Sequence, residues 1–203
     1  MQAAYRKFEA KLSGKPGKAH FVGVGGVGMA GLALMMKKRG WDVSGCDAVD
    51  NPLLAWLESN GIAVQRENAP GHLMNFDPST DVVVRTPAVP MSAPELLEAS
   101  ENGFAIFDRG VAFAAMTAQF DTLAVCGTHG KTTTSCFLAG ILRNLVPEKT
   151  SWAIGGLSPL LGAVAGGPGI VAGTPRGLLV AEADESDGTL RLYTPKITIL
   201  TNI

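Results

Sequence analysis

The 203 residues are enough to bury a core without disulfide or metal staples, which excludes a mini-protein. Seventeen Lys and Arg against eighteen Asp and Glu give a formal net charge of −1, so the balance argues against a general nucleic-acid or membrane-surface binder and requires any anionic ligand to be held locally. Charged residues are 17% of a Gly-rich chain, below the usual quarter or so, which excludes a disordered polymer. Cys46, Cys126 and Cys136 lack C-x-x-C or Cys/His ligand spacing, so the spacing suggests neither a disulfide framework nor a zinc site, and a reducing cytosol is the default compartment.

In chain order, Met1 to Lys18 is expected as an N-terminal tail, charged and without an apolar run of signal-peptide length. A strand follows at Ala19–Gly23. After a Gly-rich turn, Met29–Arg39 has helical apolar spacing, basic residues in its last turn and Gly40 as a stop. Trp41–Cys46 is the next strand. Asn51 and Pro52 are a cap and a first-turn proline for a helix that stops at Gly61. Strands are expected at Ile62–Gln65, Val82–Val84 and Phe104–Phe107, with Pro94 opening a helix between the last two. At Asp121 the pattern restarts, with a strand at Thr122–Cys126, a helix from Lys131 to Leu145, and strands at Leu178–Ala181 and Ile197–Leu200. The charge-free stretch 150–175 holds seven Gly and three Pro, which reads as loop and strand rather than a membrane span. Alternating strands and helices predict an α/β protein: a Rossmann-like domain over 19–118, then the first part of a P-loop-type α/β domain over 119–203. That second unit stops after a strand without helices for both sheet faces, so a truncated chain is expected.

Three segments carry chemistry. Gly23-Val24-Gly25-Gly26-Val27-Gly28 is a G-x-G-x-x-G turn between a strand and a helix, where bare backbone approaches a diphosphate at the helix N-terminus. Asp47, nineteen residues beyond Gly28, is placed to accept hydrogen bonds from a ribose or a base, and a dinucleotide and a nucleotide-sugar fit equally well. Gly127-Thr128-His129-Gly130-Lys131-Thr132-Thr133-Thr134 is a shortened Walker-A loop, with Val125 where the usual pattern has its first Gly. Its chemistry is phosphate binding, with Lys131 against the β/γ oxygens and Thr132 as a magnesium ligand. Leu178–Ala181 then delivers Glu182 at a strand's C-terminal end, as P-loop sites present their metal-side carboxylate. Asp184, Glu185 and Asp187 either add supporting contacts or form a solvated acidic turn. His20 reads as a satisfied strand-edge histidine, His72 as solvated, Lys37 to Arg39 as a solvated helix end, and the cysteines as small buried apolar groups.

Two nucleotide loops in one chain resemble the Mur ligases. His20–Met29, Gly127–Thr134 and Glu182–Asp187 together are similar to the branch that joins L-alanine to UDP-N-acetylmuramate, and His129 stands where sister ligases commonly have Asn. The resemblance implies an ATP- and Mg²⁺-dependent ligase of peptidoglycan precursor synthesis. ATP would phosphorylate the muramyl carboxylate, and the amine of L-alanine would attack the acyl phosphate. By the same resemblance Gly127, Thr128, His129, Gly130, Lys131, Thr132 and Thr133 hold ATP, and Thr132 and Glu182 hold magnesium. Gly25, Gly26, Val27 and Gly28 with Asp47 hold UDP, and Lys131 and Glu182 are catalytic. The stretch 155–173 lacks the family's asparagine-bearing loop, and Arg85–Pro90 departs from its serine-rich version. The continuation that supplies a magnesium-binding His and a third domain does not follow Ile203, so this chain alone is expected not to complete the amide. The rivals are a ligase recycling a muramyl tripeptide, an NAD-binding oxidoreductase, for which Lys131 and Glu182 have no task, and a fragment that only binds nucleotide.

Overall fold

The computed structural model describes residues 1–156, 161, 169–171, 177–183 and 188–203. The segment expected as a tail is instead a helix, α1 (Gln2–Ser13), which buries Tyr5, Phe8 and Leu12 along one face. Phe8 is fully buried and meets Phe107 edge to face at 4.8 Å between ring centroids. Arg6, Lys7, Glu9 and Lys11 occupy the other positions of an amphipathic helix, and three apolar side chains at helical spacing are enough to dock it.

Five parallel strands make the first sheet: β1 (Lys18–Val22), β2 (Asp42–Cys46), β3 (Ala63–Gln65), β4 (Val82–Arg85) and β5 (Ala105–Asp108), in the order β3-β2-β1-β4-β5. The chain reverses direction across the sheet between β1 and β4, so the turn after β1 opens at the switch point where such sheets bind nucleotides. Helices α2 (Val27–Lys38), α3 (Pro52–Ser59), α4 (Pro94–Glu101) and α5 (Arg109–Thr117) connect or follow the strands. Asn51 caps α3 by accepting from the Leu53 amide at 2.9 Å, with Pro52 in the first turn. Helix α5 is not among the expected elements; Asp108 stands at its N-cap without a side-chain cap bond, and its nine residues RGVAFAAMT have little polar face to mark a helical period.

The second sheet contains β6 (Asp121–Cys126), β7 (Thr150–Ile154), β8 (Gly169–Val171), β9 (Leu178–Glu182) and β10 (Ile197–Leu200), ordered β10-β6-β9-β7-β8. All its pairings are parallel except β7 with β8, and α6 (Lys131–Leu145) follows β6. The pairing of β6 with β9 sets Glu182 beside Val125, at the rim where the turn into α6 begins. Among the described residues no helix is long and apolar enough to cross a membrane.

One apolar cluster runs through both units: Phe8, Met29, Leu32, Met36 and Met116 share it with Ala153, Leu179 and Ala181. Phe113 of α5 also meets Tyr193, at 6.2 Å between ring centroids. The two sheets are thus joined by packing, not by a bare linker, and their loop-bearing rims are held in a fixed relation. Truncating Phe8→Ala should destabilise the chain by about 3–5 kcal/mol, whereas Lys7→Ala, at an exposed position of the same helix, should stay within about 0.5 kcal/mol. Urea unfolding of the two variants checks both values.

Candidate functional site

The first glycine loop is built from backbone hydrogen bonds. The amides of Gly23 and Val24 both donate to the Cys46 carbonyl, at 2.8 and 2.9 Å, which ties the end of β1 to the end of β2. Gly23 has φ +80, and a Cβ there would run into Thr86, so only glycine suits the position. The Asp47 carboxylate accepts from the Gly25 amide at 2.8 Å and from Val49 at 3.0 Å. Asp47 therefore sits where expected, beside the loop, and already fixes its shape. Gly26 caps α2 with extended backbone, and a side chain at Gly28 would press on the Arg109 guanidinium, 2.8 Å from Nη1.

The second loop has the same strand–turn–helix form. Gly130, with φ +82, is the left-handed cap of α6, so the next residues start a helix whose free amides point into the turn. The Lys131 ammonium donates to the Gly127 carbonyl at 2.6 Å and so lies over the turn it belongs to. Thr132 Oγ1 donates to Glu182 Oε1 at 2.8 Å. The other Glu182 oxygen accepts from the Gly155 amide at 2.8 Å. Thr201 and Asn202 clamp the loop from behind. The His129 carbonyl accepts from Thr201 Oγ1 at 2.6 Å and Asn202 Nδ2 at 2.9 Å, and its amide donates to Asn202 Oδ1 at 3.1 Å.

The two loops share a cavity of about 210 Å³. Val27, Gly28, Arg109 and Phe113 wall it on the first unit, and Lys131, Ala153, Ile154, Gly155 and Glu182 on the second. Lys131 and Glu182 both line this cavity. Arg109, Phe113 and the Thr201–Asn202 clamp were not singled out from sequence. Their only signal is position, because each follows or neighbours the C-terminal end of a parallel strand, the rim on which such sheets collect ligands. Asp184, Glu185 and Asp187 lie outside the described residues, as does most of 155–173.

Several lesser expectations change. His20 is not at a sheet edge: β1 is the central strand, and the ring is fully buried, with Nδ1 2.8 Å from Ser44 Oγ. His72 is not solvated either; it stands 2.9 Å from Glu95 Oε1, with a side chain only 11% exposed. Cys46 is buried as expected but is no apolar filler, since its thiol donates to Glu95 Oε2 at 2.9 Å. Burial and that carboxylate push the thiol well above its ordinary pKa. Arg39 packs over the Phe120 ring and reaches Gln119, so that helix end is partly used in packing.

A glycine-rich turn and a Walker-type turn with its strand-tip carboxylate thus face one cavity between two α/β units, the layout of an α/β protein with its loops gathered at the strand ends. Residues 18–121 match the model of the Mur ligase family, catalytic domain. The chain belongs to that family. It is 43% identical over 187 residues to UDP-N-acetylmuramate--L-alanine ligase of Kineococcus radiotolerans, covering 92% of this chain and 38% of that protein. The chain thus spans well under half the length of this curated relative. Among solved structures, the UDP-N-acetylmuramate-alanine ligase of Thermotoga maritima superposes with a TM-score of 0.77 at 30% identity, over 91% of this chain and 41% of that one. The UDP-N-acetylmuramate:L-alanyl-gamma-D-glutamyl-meso-diaminopimelate ligase of Neisseria meningitides also gives 0.77, at 28% identity over 91% and 60%.

Local surroundings give one kind of substitution opposite signs at two glycines. A Cβ at Gly25 would sit 2.5 Å from Asn51 Nδ2 and 2.8 Å from Asp47 Oδ2, so Gly25→Ala should break the Asp47 latch and destabilise by about 1–3 kcal/mol. Gly140, inside α6, has open space around its Cα, and Gly140→Ala should stabilise by roughly 0.5–1 kcal/mol. Chemical denaturation of both variants reads the difference.

Proposed function

We propose that the chain forms the substrate-nucleotide unit, over 19–118, and the first part of the ATP unit, over 119–203, of a ligase that joins L-alanine to UDP-N-acetylmuramate in peptidoglycan precursor synthesis. The shared cavity is the observation that carries this reading. A UDP-sugar with its diphosphate on Gly25, Gly26, Val27 and Gly28 and Asp47 beside it would extend its acyl end into the cavity lined by Arg109, Lys131 and Glu182. An oxidoreductase would have no use for a lysine–carboxylate pair at that place. The alanine-ligase name of the curated relative matched at 43% identity favours alanine as the amine.

The residues fit ATP with Mg²⁺. Glycine-rich backbone at 127–130 cradles phosphates at the start of α6, and Lys131 reaches over that turn. Thr132 Oγ1 and Glu182 Oε1, 2.8 Å apart, are the hard oxygen donors that magnesium takes. When bound, Mg²⁺ offsets negative charge on the phosphates during phosphoryl transfer. Lys131 would leave the Gly127 carbonyl for the β/γ oxygens and oppose the charge that builds up there. Gly155 would hold Glu182 in one orientation through its amide. Arg109, at the first turn of α5 on the opposite wall, would steer the muramyl carboxylate toward the γ-phosphoryl group. The acyl phosphate so formed would be a far better acylating agent than the carboxylate, and the amine of L-alanine would then displace phosphate. The proposed setting is the cytoplasm, where UDP-sugars and ATP meet.

Calorimetry on the chain should detect both Mg-ATP and UDP-N-acetylmuramate. Lys131→Ala should weaken Mg-ATP about 10- to 100-fold, the loss of one charge-assisted hydrogen bond, with UDP-N-acetylmuramate binding unchanged. Tight NAD binding at the first loop without UDP-N-acetylmuramate binding would sink the proposal. In a protein of family length carrying this chain, phosphate release from ATP should need UDP-N-acetylmuramate and L-alanine together. Release driven by a tripeptide in place of L-alanine would instead assign the recycling reaction.

A further inference from the structure

Behind the first glycine loop, four separate segments converge on one buried point. His20 comes from the central strand β1, Cys46 from the end of β2, His72 from the connection between β3 and β4, and Glu95 from the first turn of α4. One donor atom from each lies within 4.8 Å of all the others. His20, Cys46 and Glu95 are fully buried. We propose that His20, Cys46, His72 and Glu95 bind one divalent transition-metal ion of the zinc type.

The donor set carries the choice of ion. Two imidazoles, a thiol and a carboxylate match the ligands that zinc takes at its closed tetrahedral sites, whereas magnesium and calcium prefer oxygen alone. Bonds of about 2.0–2.3 Å to such ligands place neighbouring donors roughly 3.3–3.8 Å apart. The cluster lies close to that size: His20 Nε2 and His72 Nδ1 are 2.8 and 2.9 Å from Glu95 Oε1, so a central ion needs a small outward shift of the side chains. A hydrogen-bond network alone leaves an atom unexplained. His20 Nε2 is in ion-pair contact with Glu95 but off the hydrogen-bond direction, and no other group accepts or donates there. A fully buried imidazole nitrogen without a hydrogen bond is costly, and a metal bond from its lone pair removes that cost. The Nδ1 atom of the same ring meets Ser44 Oγ at 2.8 Å, the outer contact that fixes a metal-ligating ring in place. On entry of the ion the Cys46 thiol proton leaves to solvent and its sulfur bonds as thiolate.

The site would also stiffen the diphosphate loop, because the Cys46 carbonyl is the acceptor for both Gly23 and Val24 amides. It is separate from the cavity between the units and does not depend on nucleotide binding.

The test is cobalt titration of the chelator-stripped 203-residue chain, followed by absorption spectroscopy, with near-ultraviolet circular dichroism to confirm folding. The expected result is saturation at one Co²⁺ per chain, tetrahedral d–d bands, a thiolate-to-cobalt charge-transfer band, displacement by Zn²⁺, and a raised unfolding midpoint with Zn²⁺. Cys46→Ser should lose the charge-transfer band. His72→Ala, at the partly exposed edge of the cluster, should bind at least about 10-fold more weakly. Three results overturn the proposal: no uptake by the folded wild-type chain, a band that persists in C46S and so belongs to Cys126 or Cys136, or unchanged affinity in folded H72A. If C46S does not fold, the wild-type spectrum and H72A still decide.

Discussion

The fold depends on an apolar seam that does not stop at the boundary between the two sheets. Met29, Leu32 and Met36 of α2 and Met116 of α5 belong to the same packed cluster as Ala153 of β7 and Leu179 and Ala181 of β9. Because packed interiors resist sliding, this seam sets the distance and angle between two loops that are about a hundred residues apart in sequence. Without it the chain would hold two glycine-rich loops on a hinge. With it, Gly28 and Lys131 line one cavity.

Glu182 is the second point of convergence. One carboxylate accepts from the Thr132 hydroxyl of α6 and from the Gly155 amide at the end of β7, so strand tip, helix start and neighbouring strand end are bound through a single side chain. The loop is braced on its other side by Thr201 and Asn202, which clasp the backbone of His129. In the proposed role of this loop, amides must be held where charge develops, and such bracing lowers the reorganisation needed at that moment. In the first unit the equivalent device is Asp47, whose carboxylate shapes the loop through the Gly25 amide.

Fold similarity alone does not separate the candidate reactions. The alanine ligase and the tripeptide ligase structures superpose equally well, because one fold can host more than one reaction. Their identities to this chain, 30% and 28%, are nearly equal as well.

Both loops, the two carboxylates that serve them and most strands were legible in the sequence, because glycine spacing and short apolar runs are local signals that need no neighbour to be read. Helix α1 was not, since its three buried residues are diluted by charge and acquire meaning only against α5 and Phe107. Arg109, Phe113, Thr201 and Asn202 escaped for the same reason: their roles come from the strand order of two sheets. The metal-type cluster is the extreme case. His20, Cys46, His72 and Glu95 span some 75 positions without ligand spacing, and only the crossing of β1, β2 and α4 gathers them. Residue chemistry and short-range order were therefore determined by sequence alone, while every contact between distant segments was decided by tertiary packing, because burial is a property of the neighbours a residue acquires on folding.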